Sequence, residues 1–460
     1  MSSQKDNKIL LDVSFNWNQN PDRARAELQK VSPSYCLAKW AHSTIHFQLG
    51  TTHSCYNLPM HQIPKDNLSS NPSSLHNTPI KLEQRQQMLD GKRPPECAYC
   101  WNIEDLNSDN WSDRIIQSSG DWAYPSANEI YLSGLGEKIA PKYLEVSFSN
   151  NCNFKCSYCS PIHSNLWHDE IQKMGHYPVK TLHKMPSQIY SEEENPYIEA
   201  FNKWWPDLSK SLKVFRITGG EPLLSKHTWM ILDDIEKNPL PDLTLSLNSN
   251  LGVSDILIDQ LILKLKRLIE TKSIKRCTLF TSIEATGEHA EYIRHGMNYQ
   301  KFISNIQKIL REIPEIRISI MATFCALSVF SFKDLLKTIL EIRNQYASDF
   351  NKFQRLGIST NYLRFPDHLS VHVLNEEAIK FFDEISDFFK KNQFDSEKYV
   401  IGFNRQEIAQ FENVKQWFKH GSPSSQKNQL KTDFKNYFQE YDRRRGTSLY
   451  KTFKDLINYI

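Results

Sequence analysis

The stretch LEVSFSNNCNFKCSYCSP, residues 144–161, joins a strand-like run to three cysteines that lie within eight residues. Cys152, Cys156 and Cys159 have the spacing CxxxCxxC. The loop comes directly after a strand, and in a parallel sheet or barrel that position lies at the edge where ligands bind. Three thiols this close together predict a metal centre at that edge.

The spacing favours an iron–sulfur cluster over zinc at this loop. A structural zinc site has four closed ligands and contains CxxC pairs, and no fourth Cys or His completes a familiar zinc spacing here. Three thiolates suit a cubane of iron and sulfide in which one iron has no protein ligand. We therefore predict a [4Fe–4S] cluster on Cys152, Cys156 and Cys159, with one iron open to a further ligand.

Strand-like runs alternate with helical patterns through the middle of the chain. The predicted helices include DILIDQLILKLKRLI at 255–269 and the stretch 333–346, which have apolar residues at helical spacing. This alternation predicts βαβ units, a parallel sheet and an α/β fold, namely a partial (β/α)6 TIM-like barrel. The six predicted strands are LEVSFS at 144–149, KVFRIT at 213–218, LTLSLNSN at 243–250, CTLFTSIEA at 277–285, RISIMATF at 317–324 and GISTNYLRF at 357–365.

Two further regions flank the barrel. Residues 1–135 are irregular and contain four of the nine cysteines, whereas the chain from residue 371 onward has helical patterns such as EEAIKFFDEISDFFKK at 376–391. We therefore predict an N-terminal domain over 1–135, the barrel over 136–370 and a helical C-terminal extension over 371–460. The basic run Arg443–Arg445 is predicted to be a solvated helix end.

Composition excludes some partners. The chain has 460 residues, 39% of them hydrophobic, and a formal net charge of +3, which is too small to indicate a nucleic-acid or membrane partner. No apolar run reaches about 18 residues, and the start MSSQKDNKILLDVSF lacks the apolar centre of a secretory signal. We expect a cytoplasmic protein, in which nine cysteines indicate metal ligands or reactive thiols before disulfides.

The cysteine loop, with Tyr158 before its last cysteine, resembles the signature loop of the radical S-adenosylmethionine (SAM) superfamily. A second match is Gly219-Gly220-Glu221-Pro222, at the end of the next predicted strand. In that family the open iron chelates the methionine moiety of SAM. Electron transfer from the reduced cluster then breaks a carbon–sulfur bond, and the resulting 5′-deoxyadenosyl radical abstracts a hydrogen atom from the substrate.

The resemblance also implies roles for individual residues at the strand ends. Glu221 would hold the methionine amino group, and Gly219 and Gly220 would permit close backbone approach. Arg294 would bind the methionine carboxylate, which its bidentate fork suits, and Tyr158 would pack near adenine. The remaining members of the implied cofactor-binding set end the third and fourth strands, where the family contacts ribose: Asn248, Ser249, Ser282 and Glu284.

Four cysteines precede the barrel. CLAKWAHSTIHFQLGTTHSC, residues 36–55, has thirteen residues between Cys36 and Gly50 and four between Gly50 and Cys55. This resembles the Cx9–15Gx4C element of twitch and SPASM domains, which hold auxiliary [4Fe–4S] clusters, although those domains normally follow the barrel. Cys97 and Cys100 would supply the other two thiolates of a fully ligated second cluster. A structural zinc site on the same four cysteines is the alternative.

Two cysteines remain. Cys277 begins a predicted strand and is interpreted as a buried apolar residue. Cys325 follows the fifth strand, at the reactive edge of the barrel, where its thiol could donate a hydrogen atom to a substrate radical. A buried structural cysteine is the other interpretation of Cys325.

The resemblance implies a radical SAM enzyme that oxidises, cross-links or epimerises a peptide or protein substrate. One alternative is oxidation of a small-molecule alcohol or amine, and another is a non-catalytic iron–sulfur or zinc protein. Glu221 and Arg294 argue against the non-catalytic alternative, since an electron carrier has no need of a methionine-binding set. The enzyme would need an electron donor such as a flavodoxin or ferredoxin.

Overall fold

A computed structural model describes residues 9–107, 110–181, 185–347, 355–395, 401–421 and 424–460. The strands are β1 (His42–His46), β2 (Thr51–His53), β3 (His61–Gln62), β4 (Tyr143–Ser147), β5 (Lys155–Cys156), β6 (Val214–Thr218), β7 (Leu240–Asn248), β8 (Ile274–Thr281), β9 (Arg294–His295), β10 (Arg317–Phe324) and β11 (Leu356–Tyr362). The helices are α1 (Pro21–Val31), α2 (Ala38–Ala41), α3 (Pro79–Leu89), α4 (Ala98–Leu106), α5 (Asp113–Ser118), α6 (Ala127–Leu132), α7 (Asn165–Met174), α8 (Pro196–Leu208), α9 (Lys226–Lys237), α10 (Asp255–Glu270), α11 (Gly287–Ile293), α12 (Tyr299–Glu312), α13 (Phe332–Tyr346), α14 (Ile379–Lys391), α15 (Arg405–His420), α16 (Ser424–Arg445) and α17 (Leu449–Thr452).

The chain divides into two compact units. The first comprises Met1–Ser149, Gln188–Thr218 and Leu240–Leu245. In it β4 pairs in parallel with β1 and with β6, and β1 forms an antiparallel hairpin with β2, which in turn pairs with β3. Strands β1 and β2 therefore form a hairpin within residues 36–55, and its first strand extends a set of parallel strands.

The turn of this hairpin requires glycine. Gly50 has a φ of 64°, in the left-handed region that glycine adopts without steric cost. A Cβ atom at Gly50 would also lie 2.3 Å from ring carbons of Tyr197, a buried residue of α8. The turn is therefore fixed both by backbone conformation and by packing.

The second unit comprises Asn150–Ser187, Gly219–Pro239 and Ser246–Ile460. In it β10 pairs in parallel with β8 and with β11, and the short strands β5 and β9 pair antiparallel. Amphipathic helices separate these strands. In α12, for example, Asn298 caps the helix N-terminus through the backbone N–H of Lys301, and one face is apolar and buried around Phe302 and Ile306.

The predicted α/β class is confirmed in its coarse form. The main strands pair in parallel and alternate with helices, which is consistent with a partial (β/α) barrel. The predicted helical C-terminal region is also present as α14, α15, α16 and α17. The boundaries predicted at 135/136 and 370/371 stay a prediction, as do residues 1–135 as an iron–sulfur domain.

The prediction that Arg443–Arg445 form a solvated helix end is wrong for two of the three. The side chains of Arg444 and Arg445 are 1% and 0% exposed, and both form ion pairs with Glu170 in α7. The Arg445 guanidinium also lies over the rings of Trp167 and Tyr441, at 4.9 and 3.8 Å from their centroids. The run faces the protein because Glu170, far away in sequence, provides a buried countercharge.

None of the helices in the described ranges is long and apolar enough to cross a membrane.

Candidate active site

A cavity of about 200 Å³ in the second unit collects most of the predicted site residues. It includes all three cysteines of the CxxxCxxC loop. Among the predicted residues, Glu221, Glu284 and Cys325 do not line it. The cavity is lined by Cys152, Phe154, Cys156, Tyr158, Cys159, His163, Gly219, Gly220, Asn248, Ser249, Asn250, Phe280, Ser282, Arg294 and Thr323.

Hydrogen bonds to its main-chain atoms hold the cysteine loop in place. The N–H of Cys152 donates to the Asn165 side-chain oxygen at 2.9 Å, and Cys156 pairs with Arg294 between β5 and β9. The indole N–H of Trp167 donates to the Cys156 carbonyl at 3.0 Å. Because these contacts bind main-chain atoms, they leave the thiols free to point into the cavity.

Close backbone approach explains the glycine pair. A Cβ atom on Gly220 would lie 2.3 Å from the carbonyl oxygen of Asn151, so only glycine fits beside the cysteine loop. The next residue, Glu221, donates its N–H to that same carbonyl at 2.7 Å. The predicted close approach at Gly220 is therefore an approach to the cysteine loop.

Glu221 lies behind the cavity wall. Its carboxylate accepts the backbone N–H groups of Asn250 at 2.6 Å and Leu223 at 3.1 Å. Burial raises the pKa of Glu221 to about 7, and the hydrogen bonds from Asn250 and Leu223 oppose that rise. Glu221 thus ties the segment after β6 to the segment after β7.

Tyr158, Glu284 and Arg294 form one buried network. The Arg294 Nε and Nη2 atoms donate to the Glu284 carboxylate at 2.9–3.2 Å, and both side chains are nearly inaccessible, at 6% and 0% exposed. The Tyr158 hydroxyl donates to Glu284 at 3.0 Å and accepts from Arg294 Nη2. Glu284 therefore fixes the guanidinium that faces the cavity.

The cavity is suited to an anionic, thiolate-bound group. Burial raises the pKa of all three loop thiols, that of Cys152 to about 12. The charge of Arg294 opposes the rise at Cys156, whose Sγ lies 3.7 Å from Arg294 Nη1. Three thiols and a cation on one cavity fit the predicted cluster. Among the residues described, no three His, Cys, Asp or Glu side chains are arranged as around a single metal ion.

Some residues at the site were not predicted from the sequence. Asn165 orients the cysteine loop without lining the cavity, and no motif in the sequence marks it. Phe280 and Thr323 line the cavity from β8 and β10, and their position near strand ends could have identified them. His163, four residues after Cys159, is a further lining residue whose pKa burial lowers.

Cys325 follows the end of β10 as predicted, but its thiol does not line the cavity. The residue is 2% exposed and caps a short 3₁₀ helix, with its Sγ 3.4 Å from the Ser328 hydroxyl and its N–H donating to the same oxygen. Burial raises the pKa of Cys325 to about 11. The role of Cys325 as a hydrogen donor stays a prediction.

The four N-terminal cysteines meet at one small cavity in the first unit. Cys36, Cys55, Cys97 and Cys100 all line this cavity of about 20 Å³. The hairpin of β1 and β2 brings Cys36 and Cys55 together, and the start of α4 supplies the other two. We call this cavity the four-cysteine pocket.

The four-cysteine pocket is lined mainly by buried residues. Cys36, Cys97 and Cys100 are buried, and burial raises the pKa of Cys55 and Cys100 to about 12. Each of these two thiols also interacts electrostatically with Cys36. Four thiols that line one pocket match the ligand count of a tetrathiolate centre, whether iron–sulfur or zinc.

Comparison with known proteins agrees with this site. Residues 146–339 match the family described as the radical SAM superfamily, so the chain contains a radical SAM superfamily domain. The matched range begins in β4 and includes the cysteine loop, Gly219–Glu221 and Arg294. The predicted enzyme class, a radical SAM superfamily enzyme, is confirmed.

Curated relatives match only part of the chain. GTP 3′,8-cyclase of Peptoclostridium acidaminophilum is 24% identical over 181 residues, which cover 39% of this chain and 45% of that protein. GTP 3′,8-cyclase of Rhizobium meliloti (strain 1021) is 30% identical over 115 residues, covering 24% and 27%. The chain thus spans less than half the length of these relatives.

Solved structures give a distant likeness. SuiB of Streptococcus suis bound to S-adenosylmethionine aligns with a TM-score of 0.36 and 11% identity, covering 77% of this chain and 70% of that chain. SuiB bound to precursor peptide SuiA aligns with a TM-score of 0.36 and 13% identity, covering 80% and 72%. A likeness at this level carries no argument about the substrate of this chain.

Proposed function

We propose that this protein is a radical SAM enzyme that generates a 5′-deoxyadenosyl radical and uses it to abstract hydrogen from a peptide or protein substrate. The observation that carries the first half is the single cavity shared by Cys152, Cys156, Cys159 and Arg294. A [4Fe–4S] cluster held by the three thiolates supplies the electron that cleaves SAM.

The residues of this chain have separate tasks in the proposal. Arg294, held by Glu284, presents its guanidinium to an anionic group such as the methionine carboxylate. Gly219 and Gly220 let the ligand approach the backbone, and Asn248, Ser249 and Ser282 offer amide and hydroxyl groups for ribose. Tyr158 would pack near adenine, while Glu221 joins the strand ends that carry these groups.

The direct test is formation of 5′-deoxyadenosine. Anaerobically reconstituted protein should release 5′-deoxyadenosine from SAM when a low-potential reductant such as dithionite is present, and none when the reductant is omitted. Chromatography with mass detection measures the product. A protein with a full complement of iron that gives no 5′-deoxyadenosine would support the non-catalytic alternative instead.

The peptide or protein substrate is supported by the four-cysteine pocket. Its sequence resembles auxiliary-cluster elements, which are common in enzymes that oxidise, cross-link or epimerise peptides. The test uses extract from cells grown on deuterated amino acids, divided into protease-treated and untreated portions. Deuterium should enter 5′-deoxyadenosine from the untreated portion, and protease digestion should remove that transfer.

A small-molecule substrate is the second candidate, favoured by the partial match to GTP 3′,8-cyclases. In the same assay, added GTP would be consumed and would increase 5′-deoxyadenosine formation. Deuterium transfer that survives protease digestion would support a small alcohol, amine or nucleotide over a peptide.

We also propose that the four-cysteine pocket holds an auxiliary [4Fe–4S] cluster in an N-terminal domain over residues 1–135. We expect about eight irons per chain for two cubanes, and about four after joint Cys97→Ala and Cys100→Ala substitution. That double variant should still cleave SAM, because Cys97 and Cys100 do not line the active-site cavity. Elemental analysis that finds about one zinc and four irons per wild-type chain would establish the zinc alternative.

Substitution of Cys325 distinguishes the two interpretations of its thiol. Because the Cys325 Sγ faces Ser328 and does not line the cavity, we expect Cys325→Ala to leave both SAM cleavage and substrate modification within about threefold of wild type. Product and 5′-deoxyadenosine are quantified in the same reaction. Intact SAM cleavage with loss of the modified product would instead identify Cys325 as the hydrogen donor.

A further inference from the structure

Lys39 is a buried lysine at the four-cysteine pocket. It belongs to α2, three residues after Cys36, lines the pocket and is 2% exposed. Its ammonium donates to the Gln84 side-chain oxygen at 2.7 Å and interacts with the Cys97 thiol through its charge and a hydrogen bond. Within the described ranges, no Asp or Glu forms an ion pair with Lys39.

A buried ammonium without a countercharge is costly. Transfer of an unpaired ion out of water costs several kcal/mol even after relaxation, so buried charges are paired or bind an oppositely charged group. The only carboxylate that lines the pocket, Asp113, accepts a hydrogen bond from Asn57, and burial raises the pKa of Asp113. Lys39 therefore lines the pocket of four thiols without an ion-pair partner among the described residues.

The other buried cations nearby have protein partners of their own. Lys81 donates to the hydroxyls of Ser43 and Thr52 at 3.0 and 2.9 Å, and burial lowers its pKa well below the usual range. Arg85 donates to the Lys39 carbonyl at 3.1 Å. Neither Lys81 nor Arg85 lines the four-cysteine pocket. Lys39 differs from Lys81 and Arg85 because it lines the pocket, and from Arg114, which also lines the pocket, because Arg114 forms an ion pair with Glu104.

We propose that Lys39 is a positioning residue that balances the negative charge of an auxiliary [4Fe–4S] cluster and raises its reduction potential. The inference rests on the proposed auxiliary cluster. Four thiolates around a doubly charged cubane leave a net negative charge, which increases when the cubane accepts one electron. A fixed cation and a hydrogen bond to a ligating sulfur stabilise the reduced form more than the oxidised form.

The consequence is that the pocket suits a redox-active centre. An ammonium at the ligand sulfurs favours uptake of one electron, and zinc has no corresponding change of oxidation state. Lys39 would shift that equilibrium toward the reduced cluster. The electron comes from dithionite in the experiment below, which is oxidised as the cluster is reduced.

The experiment is a potentiometric titration of the full-length holoprotein with dithionite, followed by electron paramagnetic resonance. Addition of SAM alters the signal of the cluster on the CxxxCxxC loop, so the signal that SAM leaves unchanged belongs to the auxiliary cluster. In Lys39→Met we expect the ratio of reduced to oxidised auxiliary cluster at a fixed potential to fall about tenfold, which equals about 59 mV for one electron.

Three further variants separate charge from packing. Lys39→Gln removes the charge but keeps a hydrogen-bond donor, so its potential should fall in the same direction, and it replaces Lys39→Met if that variant does not fold. Lys39→Arg should restore most of the potential. Lys81→Met removes an equally buried lysine that does not line the pocket, so it should lower stability without changing the potential.

The measurements distinguish an incorrect role for Lys39 from the absence of an auxiliary cluster. Full iron content with an unchanged potential in both Lys39→Met and Lys39→Gln would overturn the role of Lys39 and leave the cluster in place. Zinc in wild-type protein, or iron sufficient for only one cubane, would overturn the cluster itself. Elemental analysis of each preparation, made before the titration, distinguishes these results.

Discussion

Cys156→Ala is expected to lower reductive formation of 5′-deoxyadenosine more than about 100-fold, because even the outer-shell partners of metal ligands change affinity or activity by about 10–100-fold. Cys156 is the central cysteine of the loop, and its Sγ lies 3.7 Å from Arg294 Nη1. Removal of one of three thiolates leaves an iron–sulfur cubane without a complete protein anchor. The iron content should fall by about four per chain.

Cys277→Ala provides the matched control. Cys277 is also buried, at 3% exposed, but it belongs to β8 and does not line the active-site cavity. It should keep its iron and its SAM cleavage, with only the stability loss of a small cavity. Normal SAM cleavage by Cys156→Ala would mean that the cluster is held elsewhere.

Arg294→Met is expected to lower the free energy of unfolding by about 3–5 kcal/mol, the usual cost of removing one partner of a buried ion pair. Glu284 is 0% exposed, so the substitution would leave its carboxylate without a countercharge and with only the Tyr158 hydroxyl as a donor. Thermal unfolding followed by circular dichroism, under anaerobic conditions, measures the effect. SAM binding should also weaken, because the cation at the cavity is gone.

The double variant with Glu284→Gln separates stability from function. Removal of both charges should restore much of the stability, since a neutral amide can still accept from Tyr158, while SAM binding should stay weak. Arg311→Met is the control, because Arg311 and Glu312 form an exposed pair, at 60% and 42% exposed, and should change stability by at most about 1 kcal/mol. An equally small effect at Arg294 would contradict the buried network.

The strand pattern was predictable because period-2 alternation and length are local properties. β10 occupies the predicted residues 317–324, whereas β7 begins at Leu240, three residues before its predicted start at 243. The N-terminal part of β7 includes Pro241 and Asp242, which disfavour a strand on propensity alone. Pairing in the folded protein therefore extends β7 toward its N-terminus, beyond the start that its sequence alone predicts.

The candidate site was predictable where chemistry depends on close spacing. Three cysteines within eight residues predicted the loop, and Gly219, Gly220 and Arg294 predicted part of the cavity wall. Glu284, a member of the predicted cofactor-binding set, pairs with Arg294 and does not line the cavity. That difference depends on the direction of side chains across a strand end. The direction of the Glu284 side chain is set by Arg294. Because the buried carboxylate pairs with the guanidinium, it lies on the side of Arg294 away from the cavity.

The burial of the Arg444 and Arg445 side chains could not be predicted from the local sequence. DRRRG has the composition of a solvated helix end, but Arg444 and Arg445 are buried because they form ion pairs with Glu170 in α7. No spacing rule connects residues that are 275 positions apart in the chain. Such contacts can be found only once the fold has brought them together.

The contacts of α16 also bear on when, during synthesis of the chain, the cysteine loop can form all of its hydrogen bonds. The Tyr437 hydroxyl donates to the Ser157 carbonyl, and the Tyr441 hydroxyl donates to the Tyr292 carbonyl at 2.8 Å, beside the β5–β9 pair. Both tyrosines lie far downstream of Cys159 in the chain, so they are synthesised long after it. The cysteine loop therefore leaves the ribosome well before the two hydroxyl groups that hold it in the folded protein.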